Sequence, residues 1–249
     1  MRLALVTGAT GGLGRAVAHR LAADGMTVAV NDRAAGPELD RLAEDVGGLT
    51  APADVSDPDA VREMVADVTR RAGTEIAVLV ANAAYMTMAP LAEHDLDDWW
   101  RIVDTDLGGA FSCVQAVVPG MRALGEGRIV LVSSEWGVIG WPEATAYSAA
   151  KAGLIALTKT LGRELGPDGI GVNAITPSVI DTPQLAVDAR AAGVSLEEIR
   201  ERYAERVPLG RVATPEEVAA SVAFLADARL SALVGQVLHI DGGTTRSRV

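Results

Sequence analysis

Two periods alternate along this chain. Six short runs are apolar at almost every position: LALV (3–6), TVAV (27–30), IAVLV (76–80), RIVLV (128–132), GVNAI (171–175) and QVLHI (236–240). Between them apolar residues recur every three or four positions. That spacing predicts helices over 12–24, 57–72, 95–123, 145–166 and 214–226, with a shorter, less regular one over 37–46. Strands apolar on successive positions are buried on both faces. Strand and helix in alternation then predict an α/β fold, a doubly wound parallel sheet covered by helices on either side. The rhythm breaks over 178–212, where Pro183 and Pro208 bracket a polar helix-like stretch, SLEEIRERYAER. No Ser/Pro-rich linker or low-complexity run divides the chain, so 1–249 reads as one domain.

In open parallel sheets ligands sit beyond the carboxyl ends of the strands, so the residues after each apolar run carry the chemistry. The first run leads into TGATGGLG (7–14). Glycines 8, 12 and 14 let backbone approach a phosphate closely, and the helix that follows offers free N–H groups to it. The spacing is neither G-x-G-x-x-G nor a P-loop, and a glycine turn here can also be purely structural. The second run ends in Asn31-Asp32-Arg33. Asp32 is placed to accept from an adenosine ribose and would repel a 2′-phosphate, which favours NAD over NADP; the Arg33 guanidinium could accept that phosphate. A surface turn is the plainer use of such an acid. The third run leads to ANAAY (81–85), with Asn82 able to bond backbone, and the next to SSEWG (133–137). Ser134 is either a turn residue or a hydroxyl that polarises a carbonyl.

The stretch AYSAAKAGLIALTK (146–159) puts Tyr147 and Lys151 on one helix face, four residues apart. On an exposed helix both would simply reach water. In a cleft the ammonium would stabilise a phenolate, whose free phenol titrates near 10, and make the pair a general acid–base.

Composition removes several other classes. A formal charge of −11 without a basic block argues against nucleic acid. No apolar stretch approaches a membrane span and no signal-peptide pattern opens the sequence, so a cytoplasmic protein without a membrane partner is expected. The lone Cys113 fits a reducing compartment, and His19, His94 and His239 lie too far apart in sequence for a metal-ligand spacing, so no metal site is expected.

Taken together, TGATGGLG, Asp54-Val55, ANAA, Ser134, YSAAK, Asn173 and PSVIDT (177–182) resemble the short-chain dehydrogenase/reductase family over essentially the whole chain. The resemblance implies a Rossmann-like fold and a nicotinamide-dependent oxidoreductase. It makes Tyr147 the catalytic acid–base, with Lys151 tuning it and binding the nicotinamide ribose, and Ser134 positioning the substrate oxygen. It carries cofactor contacts to Gly8, Thr10, Gly12, Leu13 and Gly14 at the phosphates, and to Asp32, with Arg33 beside it, at the ribose. Asp54 and Val55 fall at the adenine, Asn82 near the adenosine ribose, and Pro177, Ile180 and Thr182 at the nicotinamide end. Segment 178–212 is expected to cover the substrate, a small alcohol or ketone, with Tyr85, Glu135, Trp136, Trp141 and Gln184 as candidates for its wall. A homotetramer built on helices 95–123 and 145–166 is implied as well. The alternatives are an NADPH-dependent 3-oxoacyl-thioester reductase and a non-catalytic cofactor-binding regulator or scaffold.

Three positions depart from the family pattern. Ala81-Asn82-Ala83-Ala84 replaces N-N-A-G and Pro177-Ser178 replaces P-G, both read as changes of backbone fit with little chemistry. Asp106 replaces an asparagine that helps hold backbone and a water leading to the lysine. An ionised Asp106 would pull on Lys151 and oppose the phenolate; a protonated one would mimic asparagine.

Overall fold

A computed structural model describes residues 2–246. Seven parallel strands form one sheet in the order β3-β2-β1-β4-β5-β6-β7: β1 (Leu3–Val6), β2 (Thr27–Val30), β3 (Leu49–Thr50), β4 (Ile76–Ala81), β5 (Gly127–Val132), β6 (Ile170–Pro177) and β7 (Val237–Ile240). The doubly wound α/β architecture read from the sequence is therefore present. The six apolar runs are six of its strands; the seventh, β3, is a two-residue edge strand with no periodicity of its own.

Alternation along the strands assigns the two faces. Leu3, Leu5, Ile76, Leu79, Ile129, Leu131 and Val172 pack with α3 (Pro58–Ala72), α5 (Gly109–Leu124) and α7 (Thr145–Leu165). Ala4, Val6, Val28, Val78, Val80, Val130 and Ile175 pack with α1 (Gly12–Ala23), α2 (Pro37–Asp45) and α10 (Pro215–Ala226). A register irregularity, where Leu3 pairs with Ile76 but Ala4 with Val78, keeps β4 in phase with both faces.

The single helix expected over 95–123 is interrupted. α4 (Leu96–Val103), capped by the Asp95 carboxylate on the N–H groups of Asp97 and Asp98, runs into a π-helical turn, Asp104–Gly108, before α5 begins. The extra residue in such a turn rotates the chain, and it turns Asp106 into the core, 1% exposed. Segment 178–212 folds as α8 (Gln184–Ala192) and α9 (Leu196–Ala204), joined by a small apolar cluster around Leu185, Ala189 and Ile199. A further short helix, α6 (Trp136–Ile139), lies directly after β5 and was not foreseen. No helix among the described residues is long and apolar enough to cross a membrane, and none of their His, Cys, Asp and Glu side chains cluster as metal ligands.

Candidate active site

The carboxyl ends of β1, β2, β4, β5 and β6 open onto one cleft of about 620 Å³. At its glycine end, Gly8 has φ +61°, and a Cβ on Gly14 would lie 2.2 Å from the Gly8 carbonyl oxygen. A Cβ on Gly12 would lie 2.7 Å from Thr182, so this glycine also lets the 180s segment close against the turn. Asn82 donates from Nδ2 to the carbonyls of Thr7 (2.9 Å) and Gly8 (3.1 Å), and the Thr7 hydroxyl accepts from the N–H groups of Asn82 and Ala83. Thr7, which the sequence did not single out, thus ties β4 to the turn.

α1 starts with Gly11 at its N-cap, with no side-chain cap and no acid in its first turn. Its first N–H groups and positive dipole end are left for an anion, and the turn fits a pyrophosphate. Asp32 stands at the edge, one oxygen accepting from Arg33 N–H (2.7 Å) and the other from Thr10. The oxygen facing Arg33 N–H, with that single donor, keeps a lone pair for a ribose hydroxyl. Arg33 is exposed, and Gly11 contributes no cation. Asn31 Nδ2 bonds the carbonyls of Ala51 (2.8 Å) and Ala53 (3.0 Å), which holds the segment carrying Asp54 and Val55 on the rim. The Ser56 hydroxyl and N–H donate to Asp54 and hold its carboxyl below the ordinary range.

At the other end, Ser134 and Tyr147 line the cleft. The Ser134 hydroxyl accepts from Trp136 N–H (3.1 Å), which leaves its proton free to donate. Lys151 lies beneath Tyr147, 2% exposed, with Nζ 5.2 Å from the phenol ring centroid. It donates to the Val132 carbonyl (3.1 Å) and pairs with Asp106 Oδ2 (3.2 Å), while Asp106 Oδ1 accepts from Tyr85 N–H (2.8 Å). Burial pushes the Asp106 carboxyl up, against the attraction of Lys151. For Lys151, burial acts downward but is outweighed by the charges of Asp106 and then Tyr147, so the ammonium is held above its ordinary value.

Two further residues pin this arrangement. Ser133 Oγ donates to the Lys151 carbonyl (2.7 Å), and a Cβ on Gly137 would lie 2.7 Å from the Lys151 backbone. Both lie in the SSEWG stretch, but sequence shows only small residues there, not which helix they meet.

The expected wall residues separate into two groups. Tyr85, Glu135, Trp136 and Gln184 line the cleft, and so do Ile180 and Thr182. Trp141 does not. It stacks behind Trp136 with ring centroids 5.1 Å apart and planes within 4°, and its ring also faces the Arg206 guanidinium at 5.2 Å. Trp136 in turn meets Tyr147 edge-on at 5.7 Å. Pro177 is buried inside β6, and Asn173 spans to the 233–236 segment through Leu233 O and Gln236 N–H.

Glu135 is 5% exposed, and its N–H donates to the Pro177 carbonyl (3.0 Å). Burial pushes its carboxyl up to about 7, the Ser178 hydroxyl opposing this by donating to it and Asp241 adding to it. Ser178, the serine of the Pro177-Ser178 pair, thus stands near a buried carboxyl.

Known proteins resemble this chain over nearly its whole length. The family model described as enoyl-(acyl carrier protein) reductase matches residues 8–245. Cis-4-hydroxycyclohexanecarboxylate dehydrogenase of Sinomonas cyclohexanicum is 40% identical, over 98% of this chain and 96% of that one. The 3-oxoacyl-(acyl-carrier-protein) reductase FabG of Thermotoga maritima is 39% identical, over 97% of each. The crystal structure of levodione reductase superposes with a TM-score of 0.93 at 32% identity, covering 99% of this chain and 98% of that one.

Proposed function

The chain belongs to the short-chain dehydrogenase/reductase family, whose members act on CH–OH or C=O with NAD(P), and from that premise we propose that it interconverts an alicyclic secondary alcohol and its ketone with NAD(H). The observation that carries the reading is Tyr147 above the buried Lys151, in one cleft with Ser134. Bound nicotinamide supplies or accepts the hydride. Tyr147 moves the proton at the substrate oxygen, with the Lys151 charge favouring its phenolate. Ser134 donates to the same oxygen through the proton that its bond from Trp136 leaves free. The third Lys151 proton is left for a ribose hydroxyl.

Asp32 supports NAD, since a 2′-phosphate would meet its carboxylate with no cation at Gly11. An alicyclic substrate is supported by the Trp136 ring in the wall and by relatives named for cis-4-hydroxycyclohexanecarboxylate and levodione. Helices α8 and α9 would cover it. The homotetramer belongs to the same reading, supported by the exposed Phe111 in an apolar groove between α5 and α7. So does a cytoplasmic setting, supported by Cys113, a lone buried thiol pushed up to about 12 by burial and kept protonated. A second reading, NADPH-dependent reduction of a 3-oxoacyl thioester, draws on the relative at 39% identity and on the exposed Arg33.

The test is NADH absorbance across a panel of cyclic and linear ketones, secondary alcohols and a 3-oxoacyl thioester. Turnover of a cyclic member with NAD, lowered about a thousandfold or more by Tyr147→Phe, is the expected result. Turnover of the thioester alone, with NADPH, would replace this reading by the second.

A further inference from the structure

Arg101 lies on α4, is exposed, and lines the same cleft as Asp54, Val55 and Thr105. What meets its guanidinium among the described residues is no carboxylate but the Tyr85 ring, with Cζ 4.1 Å from the ring centroid. Two bonds fix the half-buried Tyr85: its hydroxyl donates to Asp98 (3.1 Å) and its N–H to Asp106 Oδ1 (2.8 Å). The helical rod that carries Arg101 is seated on the 54–55 segment, since a Cβ on Gly109, at the start of α5, would lie 2.7 Å from Val55. Thr105, one turn beyond Arg101, faces the cleft from the same rod. The Arg101 charge reaches Asp54: the Ser56 hydroxyl holds that carboxyl low, and Arg33 and Arg101 add to the effect. An exposed cation is thus held on an aromatic support beside Asp54 and Val55, with its other side toward the cleft.

We propose that Arg101 binds the adenine of the cofactor, its guanidinium lying against the base while the Tyr85 ring supports it from behind. Arg101 is then a cofactor-binding residue and Tyr85 its positioning residue. The proposal rests on the reading of Asp54 and Val55 as the adenine end of the cleft and adds a residue that neither the glycine turn nor the strand ends supply. A guanidinium is planar, delocalised and weakly hydrated, so it stacks on aromatic faces where an ammonium would hold its water. Tyr85 occupies one side of it, and a second ring can take the other. A phosphate would also suit a lone cation, but here it would meet the Asp54 carboxylate in the wall and Asp98 on the same helix. A neutral base meets no such repulsion. Because the ring holds the guanidinium before binding, less side-chain freedom is lost when the base arrives.

The experiment is titration calorimetry with ADP-ribose, which carries the adenine and the pyrophosphate but no nicotinamide, so that binding is read apart from turnover. It compares the wild type with Arg101→Ala, Arg101→Lys, Tyr85→Phe and Tyr85→Leu, each checked for folding by far-UV circular dichroism. Loss of one cation–π contact predicts that Arg101→Ala raises the Kd by about threefold to thirtyfold. Arg101→Lys should recover little of this, because it keeps the charge and loses the plane. Tyr85→Phe, which keeps the ring, should bind nearly as wild type does, and Tyr85→Leu should weaken toward Arg101→Ala. Full affinity in Arg101→Lys overturns the stacking and leaves a plain attraction between charges. Full affinity in Arg101→Ala makes the Arg101–Tyr85 pair surface packing only, and leaves the adenine reading of Asp54 and Val55 standing. Full affinity in Tyr85→Leu removes the support. An Arg101→Ala effect confined to the KM for the alcohol would assign the residue to the substrate and overturn the proposal. A wild type that does not bind ADP-ribose overturns the cofactor reading of the cleft and the proposal with it.

Discussion

Replacing Asp106 by asparagine keeps the side chain's size and removes one charge from the base of the site. The carboxylate lies 3.2 Å from Lys151 Nζ, which lies 5.2 Å from the Tyr147 ring, so the two distances put it no more than about 8.4 Å from that ring. At an effective dielectric of about 20, a unit negative charge at that separation opposes a phenolate by about 2 kcal/mol, or roughly one and a half pH units. Burial pushes the Asp106 carboxyl up against the attraction of Lys151, and the ammonium between the two groups offsets part of that charge's field at the ring. The expected effect of Asp106→Asn is then a shift of about one pH unit. The sign follows from what is removed: with the opposing charge gone, the phenolate forms more readily. The rising alkaline limb of alcohol oxidation, read as log kcat/KM against pH by NADH absorbance, should move to lower pH. Turnover should persist. Superimposable profiles would show that Asp106 is neutral or unconnected to the proton transfer. A limb displaced to higher pH would show that Lys151, left without its counter-charge, gives up its own proton, and the reasoning would fail.

Glu135 gives a stability prediction of known sign. Its folded-state value, about 7, lies above the ordinary carboxyl value of 4.5, so the protonated form favours the fold and stability is lost as pH rises through that window. The shift amounts to at most about 3 kcal/mol, so Glu135→Gln should melt roughly 5–10 °C above wild type at pH 8, with the gap closing toward pH 5; an equal gap at both pH values would refute this. For the cofactor, wild type should favour NAD over NADP by about tenfold in kcat/KM, and Asp32→Ala should reduce that ratio; better use of NADP by wild type would make Arg33 the deciding residue. For assembly, ultracentrifugation at micromolar concentration should find a tetramer, and Phe111→Glu should reduce it to smaller species. A wild type that sediments only as monomer would remove the assembly.

The sheet was legible because its strands are buried on both faces, so each of six reads as an unbroken apolar run. β3 escaped because Leu49–Thr50 is too short to carry a period, and α6 because four residues make one turn. The π turn at Asp104–Gly108 left no compositional mark: one added residue in a helical stretch changes no periodicity that a short window detects. In the site, glycine spacing and the Tyr147–Lys151 interval are local patterns and could be read directly. The Asp106–Lys151 pair and the Glu135–Ser178 contact span more than forty residues each. They depend on which strand ends the sheet order brings together, and no local pattern encodes that.

The bond from the Ser133 hydroxyl to the Lys151 carbonyl, with Gly137 packed on the same backbone, ties the main chain of the reacting helix to the segment that directly follows β5. The wall is attached differently, by the stacked side chains of Trp136, Trp141 and Arg206. Except at Trp136, which meets Tyr147 edge-on, proton transfer and substrate shape are therefore separately mutable. A lineage, or a directed-evolution library, can exchange the α8–α9 cover to admit a new ring or chain while the acid–base machinery keeps its geometry. A change at Ser133 or Gly137, two residues that touch no ligand, would instead degrade activity toward every substrate alike.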